Sequence, residues 1–183
     1  MPTLIKNGRI AEDRWTLSRG AASIADLPDG APVIVPLALW NERRAALIAR
    51  GEVGVLFLPS DDPATIAVDL AFLPVVAIDF PQFTDGRGYS HARLLRERHA
   101  FGGELRAVGD VGRDQLYYLA QCGFDAFLIP DHKSAEDALA GFADFRDGYQ
   151  STFARTPWFR RRARETSPAS ALPVRDLSGP VSR

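Results

Sequence analysis

Residues 75–90 have the sequence VVAIDFPQFTDGRGYS. The apolar run 75–78 predicts a buried strand, and the stretch 91–100 that follows predicts a helix. An Asp, an Arg, a Tyr and a Ser therefore lie in a glycine-containing loop between the carboxyl end of a strand and the start of a helix. In parallel α/β folds ligands bind at that position, because helix N-termini and free loop amides converge there. The segment locates a candidate site without specifying a reaction.

The same strand–helix alternation extends on both sides of this segment. Five apolar runs predict strands, at residues 32–37, 53–58, 75–79, 105–108 and 126–129. The stretches between and after them predict helices at residues 40–50, 64–72, 91–100, 113–122 and 134–145. Before the first unit, residues 4–10 predict a hairpin, since Asn7-Gly8 favours a type I′ turn. Five successive βα units indicate an α/β protein with a parallel sheet.

Two architectures are compatible with that order of elements. A flavodoxin-like doubly wound sheet covers both faces of each strand with helices, so a charge in mid-strand is unfavourable. Residues 104–108 alternate as Glu-Leu-Arg-Ala-Val, which places Glu104 and Arg106 on one face. A sheet curled like a partial or irregular TIM barrel turns that face toward a polar mouth. The alternation therefore favours the barrel-like form, with the flavodoxin-like sheet as the alternative.

Composition limits the classes of function. We expect one α/β domain over residues 1–150. A net charge of −1 argues against nucleic-acid binding, because such domains are usually basic. The single cysteine, Cys122, excludes an internal disulfide and a thiolate metal cluster within one chain. The sequence shows neither a signal-peptide pattern nor an apolar run of about 20 residues. We therefore expect a cytoplasmic protein without a membrane partner.

Residues 151–183 differ from the rest of the chain. The stretch 155–164, RTPWFRRRAR, is basic and aromatic, and the residues beyond it are rich in Ser, Pro and Ala. That composition predicts a partly disordered tail. Its basic part is suited to docking on an acidic partner, with Trp158 and Phe159 as anchors, and equally to a solvated tail.

Most of the chain resembles the bacterial domain-of-unknown-function family numbered 934. The resemblance lies in residues 83–90, 95–96, 103–111, 114–116 and 122–127, and covers about residues 4–150. Gly112 departs from it, since a bulkier residue is expected there. Members are commonly labelled as oxidoreductases involved in sulfite reduction, a label drawn from neighbouring genes. The resemblance implies a role in sulfate assimilation and cysteine biosynthesis and supplies no catalytic residues.

The first candidate site binds an anion. Arg87 offers a fork of donors, Gly88 allows close approach of the backbone, and Ser90 lies at a predicted helix N-terminus. Arg106, on the next strand, is placed to complete it, and sulfate, sulfite or phosphate fits such a site. The same residues also fit a structural arrangement in which Asp85 and Arg87 form a salt bridge and Ser90 only caps the helix.

The candidate catalytic residues are Asp85 or Asp110 as general base and Tyr89 as general acid. Asp79, Asp85 and Asp110 each follow a strand and also suit Mg²⁺. Asp110, like Asp114, equally suits the role of a helix-start carboxylate. We predict no metal site, since the three histidines lack ligand spacing, and among them only His132 lies at the presumed rim. No cofactor is predicted, because the chain has neither a dinucleotide fingerprint nor a cysteine set for an iron–sulfur cluster. Flavin binding is not excluded, because flavin sites need no short sequence motif.

Two functions follow as hypotheses. In the first, the chain is an accessory protein of assimilatory sulfite reduction that binds an oxyanion or a sulfite reductase subunit through residues 85–90 and Arg106. In the second, it is a small enzyme acting on an anionic sulfur or phosphate compound at the carboxyl rim of the strands. The sequence leaves open which applies, and also whether a second copy completes the barrel in a homodimer.

Overall fold

The computed structural model of the chain describes residues 2–82 and 84–142. Its strands are β1 (Thr3–Lys6), β2 (Arg9–Ala11), β3 (Thr16–Leu17), β4 (Val33–Pro36), β5 (Val53–Phe57), β6 (Val75–Phe80), β7 (Glu104–Gly109) and β8 (Ala126–Ile129). Its α-helices are α1 (Leu37–Arg50), α2 (Arg87–Arg93), α3 (Arg113–Gln121) and α4 (Ala135–Ala140). α2 continues directly into a π-helical turn, Leu94–Arg98, and three short 3-10 helices cover Ile24–Asp26, Pro63–Ile66 and Leu70–Phe72.

All eight strands form one mixed sheet in the order β2-β1-β8-β7-β6-β5-β4-β3. Strands β3 to β8 are parallel and follow one another in chain order, while β1 pairs antiparallel with both β2 and β8. The expected purely parallel sheet is therefore wrong, because the hairpin joins the edge of the sheet. The consecutive order lacks the reversal that a flavodoxin-like sheet requires, which excludes that alternative.

The sheet curls into a half-barrel, and the length of one connection shows how strongly. In a flat sheet with strands about 4.8 Å apart, β2 and β3 at the two edges would be separated by about 34 Å. The five residue steps from Ala11 to Thr16 span at most about 18 Å. The two edges must therefore approach each other, with residues 12–15 bridging the opening between them.

The two faces of the curled sheet carry different cores. The convex face packs against the helices, through apolar side chains such as Leu47 of α1, Leu95 of the π-turn and Leu119 of α3. The concave face holds a smaller cluster around Trp15. Its other buried members are Ile34, Leu56, Val75, Ala77 and Val108. The interior of the half-barrel is thus filled by side chains, with Trp15 supplied by the bridging segment.

Most predicted elements are confirmed, but the predicted helices at residues 64–72 and 91–100 differ, the second because α2 begins at Arg87. The hairpin turn has positive φ at Asn7 and Gly8, as the type I′ prediction requires. Residues 64–72 form two 3-10 helices instead of one α-helix. The β-branched Thr65, Ile66 and Val68 lower helix propensity in that stretch. The short edge strand β3 was not predicted, since two residues carry no periodicity.

The helix ends agree with the capping residues in the sequence. Gly123 has a φ of 107° directly after α3, and the Ser134 hydroxyl accepts a hydrogen bond from the Asp137 amide at the start of α4. α4 ends at Ala140 and residues 141–142 form a turn, which is earlier than the predicted end at residue 145. Residues 143–145 and the tail 151–183 lie outside the described residues. Within the described ranges no helix is long and apolar enough to cross a membrane.

Candidate functional site

The carboxyl ends of β6, β7 and β8 meet at one rim, as the sequence predicts for neighbouring parallel strands. The turn after β7 is built tightly against the end of β6. The Asp110 amide donates to the Phe80 carbonyl over 2.7 Å, and Gly109 adopts a φ of 101°. A Cβ at Gly109 would lie 2.4 Å from the same carbonyl oxygen, so the turn requires glycine.

Asp85 and Arg87 form a salt bridge at the start of α2. Arg87 Nε lies 3.0 Å from Asp85 Oδ1, and Arg87 Nη2 lies 2.7 Å from Oδ2. The Arg87 amide also donates to Asp85 Oδ1. These hydrogen bonds from Arg87 hold the pKa of Asp85 below its ordinary value. The loop therefore contains the Asp85–Arg87 salt bridge that the sequence offered as the structural alternative to an anion site. The Arg87 side chain is 62% exposed.

Gly88 and Ser90 have roles other than those expected of an anion site. A Cβ at Gly88 would lie 2.6 Å from Phe80 Cζ and 3.0 Å from Ile78 Cγ2. Gly88 thus permits close packing of α2 on the convex face of β6. Ser90 was expected to cap the helix, but α2 begins at Arg87 and Ser90 lies within it, exposed to solvent.

Tyr89 lies in an aromatic stack instead of facing an open pocket. Its ring centroid is 5.3 Å from that of Phe80 and 5.0 Å from that of Tyr118. Burial raises the pKa of the Tyr89 hydroxyl above its ordinary value, opposed by a hydrogen bond with Gln115. A raised pKa keeps the hydroxyl protonated, and the ring contact with Tyr118 joins α2 to α3.

Two further ion pairs lie at the rim. Asp110, a candidate base, has its Oδ1 2.6 Å from Lys133 Nζ, on the loop after β8. Asp79 is buried at the end of β6, and its Oδ1 is 2.6 Å from Arg19 Nη1. Arg19 and Lys133 are cations that our sequence analysis missed. The position of Lys133 in the loop between β8 and the next helix was a usable signal, whereas nothing in the sequence placed Arg19 at this rim.

Arg106 does not join the loop at residues 85–90. It points to the concave face of β7, at the level of Ala77, whereas Gly88 packs on the convex face. The expected composite of Arg87 and Arg106 is therefore wrong, because side chains of alternating strand residues point to opposite faces of the sheet.

Arg106 belongs to a buried network at the amino end of the half-barrel. Its guanidinium contacts Glu104 and Asp13, and Glu104 also pairs with Lys6 over 2.7 Å. Burial raises the pKa of Glu104, but hydrogen bonds from Lys6 and Arg106 outweigh it, so the pKa lies below its ordinary value. Two cations and two carboxylates balance within this network.

Cys122 and His132 lie in different surroundings. Cys122 is buried, and burial raises the pKa of its thiol, which disfavours a nucleophilic thiolate. His132 is exposed on the loop after β8. Across residues 2–82 and 84–142, no group of three or more His, Cys, Asp or Glu side chains is arranged to hold a metal ion.

Comparison with known proteins identifies the family. The model of the bacterial proteins of unknown function, DUF934, matches residues 54–159, more than half of the chain. The chain belongs to the DUF934 family. The match includes β5 to β8 and the rim, and starts at Gly54, so the hairpin and residues 12–19 precede it. No curated protein and no solved structure matches the chain.

Proposed function

We propose that this DUF934 protein is an accessory protein of assimilatory sulfite reduction and cysteine biosynthesis. It acts by binding a sulfite reductase subunit or a small oxyanion. The link to sulfite reduction comes from the label commonly given to the family. Binding in place of catalysis is supported by the contacts that already engage the candidate catalytic side chains.

The contacts of the candidate catalytic residues are the observation that carries this proposal. In barrel enzymes the substrate contacts residues at the carboxyl ends of the strands. Here Asp85 and Asp110 are each paired with a cation, and the ring of Tyr89 lies in an aromatic stack. We therefore place recognition on the outer surface, formed by the loop at residues 84–86 and the exposed side of α2 and its π-turn.

That outer surface has a mixed charged and apolar character. Ser90, Arg93, Leu94, Glu97 and Arg98 line an open groove along the helix. Leu94 is 38% exposed, and Arg87 with its partner Asp85 lies at the start of the same helix. Exposed arginines around an apolar residue are typical of protein interfaces, and π-helical turns recur at functional sites.

The test is the affinity of the purified chain for a sulfite reductase subunit from the same organism, at low salt. We expect Arg87→Ala to weaken binding at least about fivefold, roughly 1 kcal/mol. The matched control is Arg43→Ala on α1, because Arg43 is also an exposed arginine paired with a neighbouring acid, Glu42. Equal affinities for the two variants would contradict docking through α2.

A second candidate is a small enzyme acting on an anionic sulfur or phosphate compound at the rim. The pair of half-exposed Arg19 and buried Asp79 favours it, since such a pair combines an anion-binding cation with a potential base. The test is a thermal-shift series with sulfite, sulfate, phosphate, adenylated sulfate nucleotides and flavins. A ligand at 100 times its Kd adds about 2.7 kcal/mol. A response lost in Arg19→Ala would favour the enzyme, and no response in the wild type would contradict it.

A further inference from the structure

Residues 12–19, which we call the strap, run across the open side of the half-barrel. They leave β2 at one edge of the sheet, pass through the interior with Asp13 and Trp15, and pair as β3 at the opposite edge. The strap therefore covers the concave face that carries Arg106. The side chain of Arg106 is 1% exposed beneath it.

The Asp13 carboxylate binds the Arg106 guanidinium as a free anion would. Arg106 Nη1 donates to both Asp13 oxygens, over 2.9 and 2.8 Å. Arg106 Nε donates to Glu104 Oε1, while Nη2 lies 2.7 Å from that oxygen without making a hydrogen bond. Since Glu104 is shared with Lys6, the charge of Asp13 is what balances the second cation of the network.

Besides Asp13, the strap is held by the short strand β3, by ion pairs of Arg14 with Glu52 and of Arg19 with Asp79, and by the packing of Trp15. β3 is two residues long, and the amides of Thr16 and Ser18 donate to Pro32 and Ile34 carbonyls, each over 2.9 Å. Arg19 then pairs with Asp79 at the rim, and Trp15 packs in the interior. A two-residue edge strand is the kind of element that opens locally at a lower free energy than the core strands.

We propose that Arg106 is an anion site that the chain occupies with its own Asp13, and that release of the strap opens it to a small oxyanion. The ligand class is a sulfate-, sulfite- or phosphate-type anion, because a guanidinium binds two oxygens of such a group as it binds a carboxylate. This site lies on the concave face, opposite the docking surface on α2. It is therefore independent of whether a reductase binds.

Asp13→Asn tests the proposal because it removes the internal anion and keeps the shape of the side chain. We expect millimolar sulfate, sulfite or phosphate to raise the Tm of this variant by about 5–10 °C once the anion exceeds its Kd 100-fold. Chloride at equal ionic strength serves as the reference. If the variant is unfolded without ligand, the same anions should restore its folded fraction.

Two variants control this measurement. Glu12→Gln makes the same change of charge at an exposed strap position next to Asp13, and should respond to anions no more than the wild type. Asp13→Asn combined with Arg106→Met should lose the response. The proposal is overturned if Asp13→Asn responds like Glu12→Gln, or if the response survives the loss of Arg106.

A measurement on the wild type provides a second, independent test. An anion that replaces Asp13 should increase hydrogen exchange at the Thr16 and Ser18 amides, relative to chloride at equal ionic strength. Exchange at β6 and β7 should stay unchanged. Equal exchange of the strap amides in sulfate, sulfite, phosphate and chloride would show that the Asp13–Arg106 pair is a fixed structural ion pair and would overturn the proposal.

Discussion

Gly88 illustrates at the residue scale how a glycine in a candidate loop can serve packing. Gly88→Ala should destabilise the protein by about 1–3 kcal/mol, because the new methyl group would press on the buried ring of Phe80. The matched control is Gly86→Ala, where a Cβ would meet nothing within 4 Å. Urea unfolding of both variants measures the difference. A neutral Gly88→Ala would mean that the loop tolerates a side chain and is open to a ligand.

Glu104 makes stability depend on acid pH. Its folded-state pKa is below the ordinary value of 4.5, so its stabilising contribution is fully present above pH 4.5 and is lost as the pH falls through the lower folded value. Urea midpoints of the wild type should therefore decline below pH 4.5, and Glu104→Gln should show a weaker decline.

Asp125 acts in the opposite direction in this experiment. Burial raises the pKa of Asp125, and its protonation therefore favours the folded state as the pH falls. Comparing the wild type with Glu104→Gln removes this shared contribution. Identical acid slopes for the two proteins would contradict the role assigned to the network around Glu104.

At the residue scale the sequence predicted which residues lie at the rim, but it did not predict the long-range ion pairs that the charged residues form. Asp85 and Arg87 are two residues apart, so their pairing was foreseeable as one of two alternatives. The pairs of Asp79 with Arg19 and Arg106 with Asp13 join residues 60 and 93 positions apart. Such pairs depend on how far the sheet curls, which local periodicity does not encode.

At the scale of elements, the π-helical turn after α2 has a clear structural cause. It carries Arg96 into a buried position where three backbone carbonyls accept from its guanidinium. These belong to Phe101, Gly103 and Gly123, at 2.6, 2.8 and 2.9 Å. The same guanidinium lies 3.0 Å from the Asp125 carboxylate. One side chain thus ties the end of this helix to the starts of β7 and β8.

Arg96→Lys should therefore be strongly destabilising despite keeping the charge. A lysine cannot reproduce the planar fork, and each buried carbonyl left without a donor costs about 1–3 kcal/mol. The control is Arg98→Lys in the same turn, whose side chain is exposed and which should stay within about 0.5 kcal/mol of the wild type. Chemical denaturation of the two variants measures both effects. Equal stabilities would remove Arg96 as the anchor of the turn.

The elements themselves were largely predictable, since apolar periodicity and capping residues are local. The five strands of the βα units, the hairpin turn and the stop at Gly123 follow from patterns within a few residues. The start of α2 at Arg87 was missed because Ser90 offered a competing cap. It is Asp85, two residues before Arg87, that accepts from the helix-start amide.

At the scale of the whole molecule, the interior of the half-barrel is filled by residues of the same chain, with Trp15 of the strap among them. The mid-strand charges Glu104 and Arg106 correctly favoured a curled sheet over a doubly wound one. The strap covers them and balances the charge of Arg106 with Asp13. It carries no sequence signal of its own, because its role depends on the two edges of the sheet meeting. With its interior occupied, the molecule offers the rim and the outer face of α2 for recognition.

The most direct test of this account is a calorimetric titration of the wild-type chain into purified sulfite reductase at low salt, repeated at increasing salt. We expect a saturable complex whose affinity falls as salt rises, with no turnover of sulfite by the chain alone. The absence of binding at the lowest salt, together with turnover by the chain alone, would contradict a binding role and favour an enzyme at the rim.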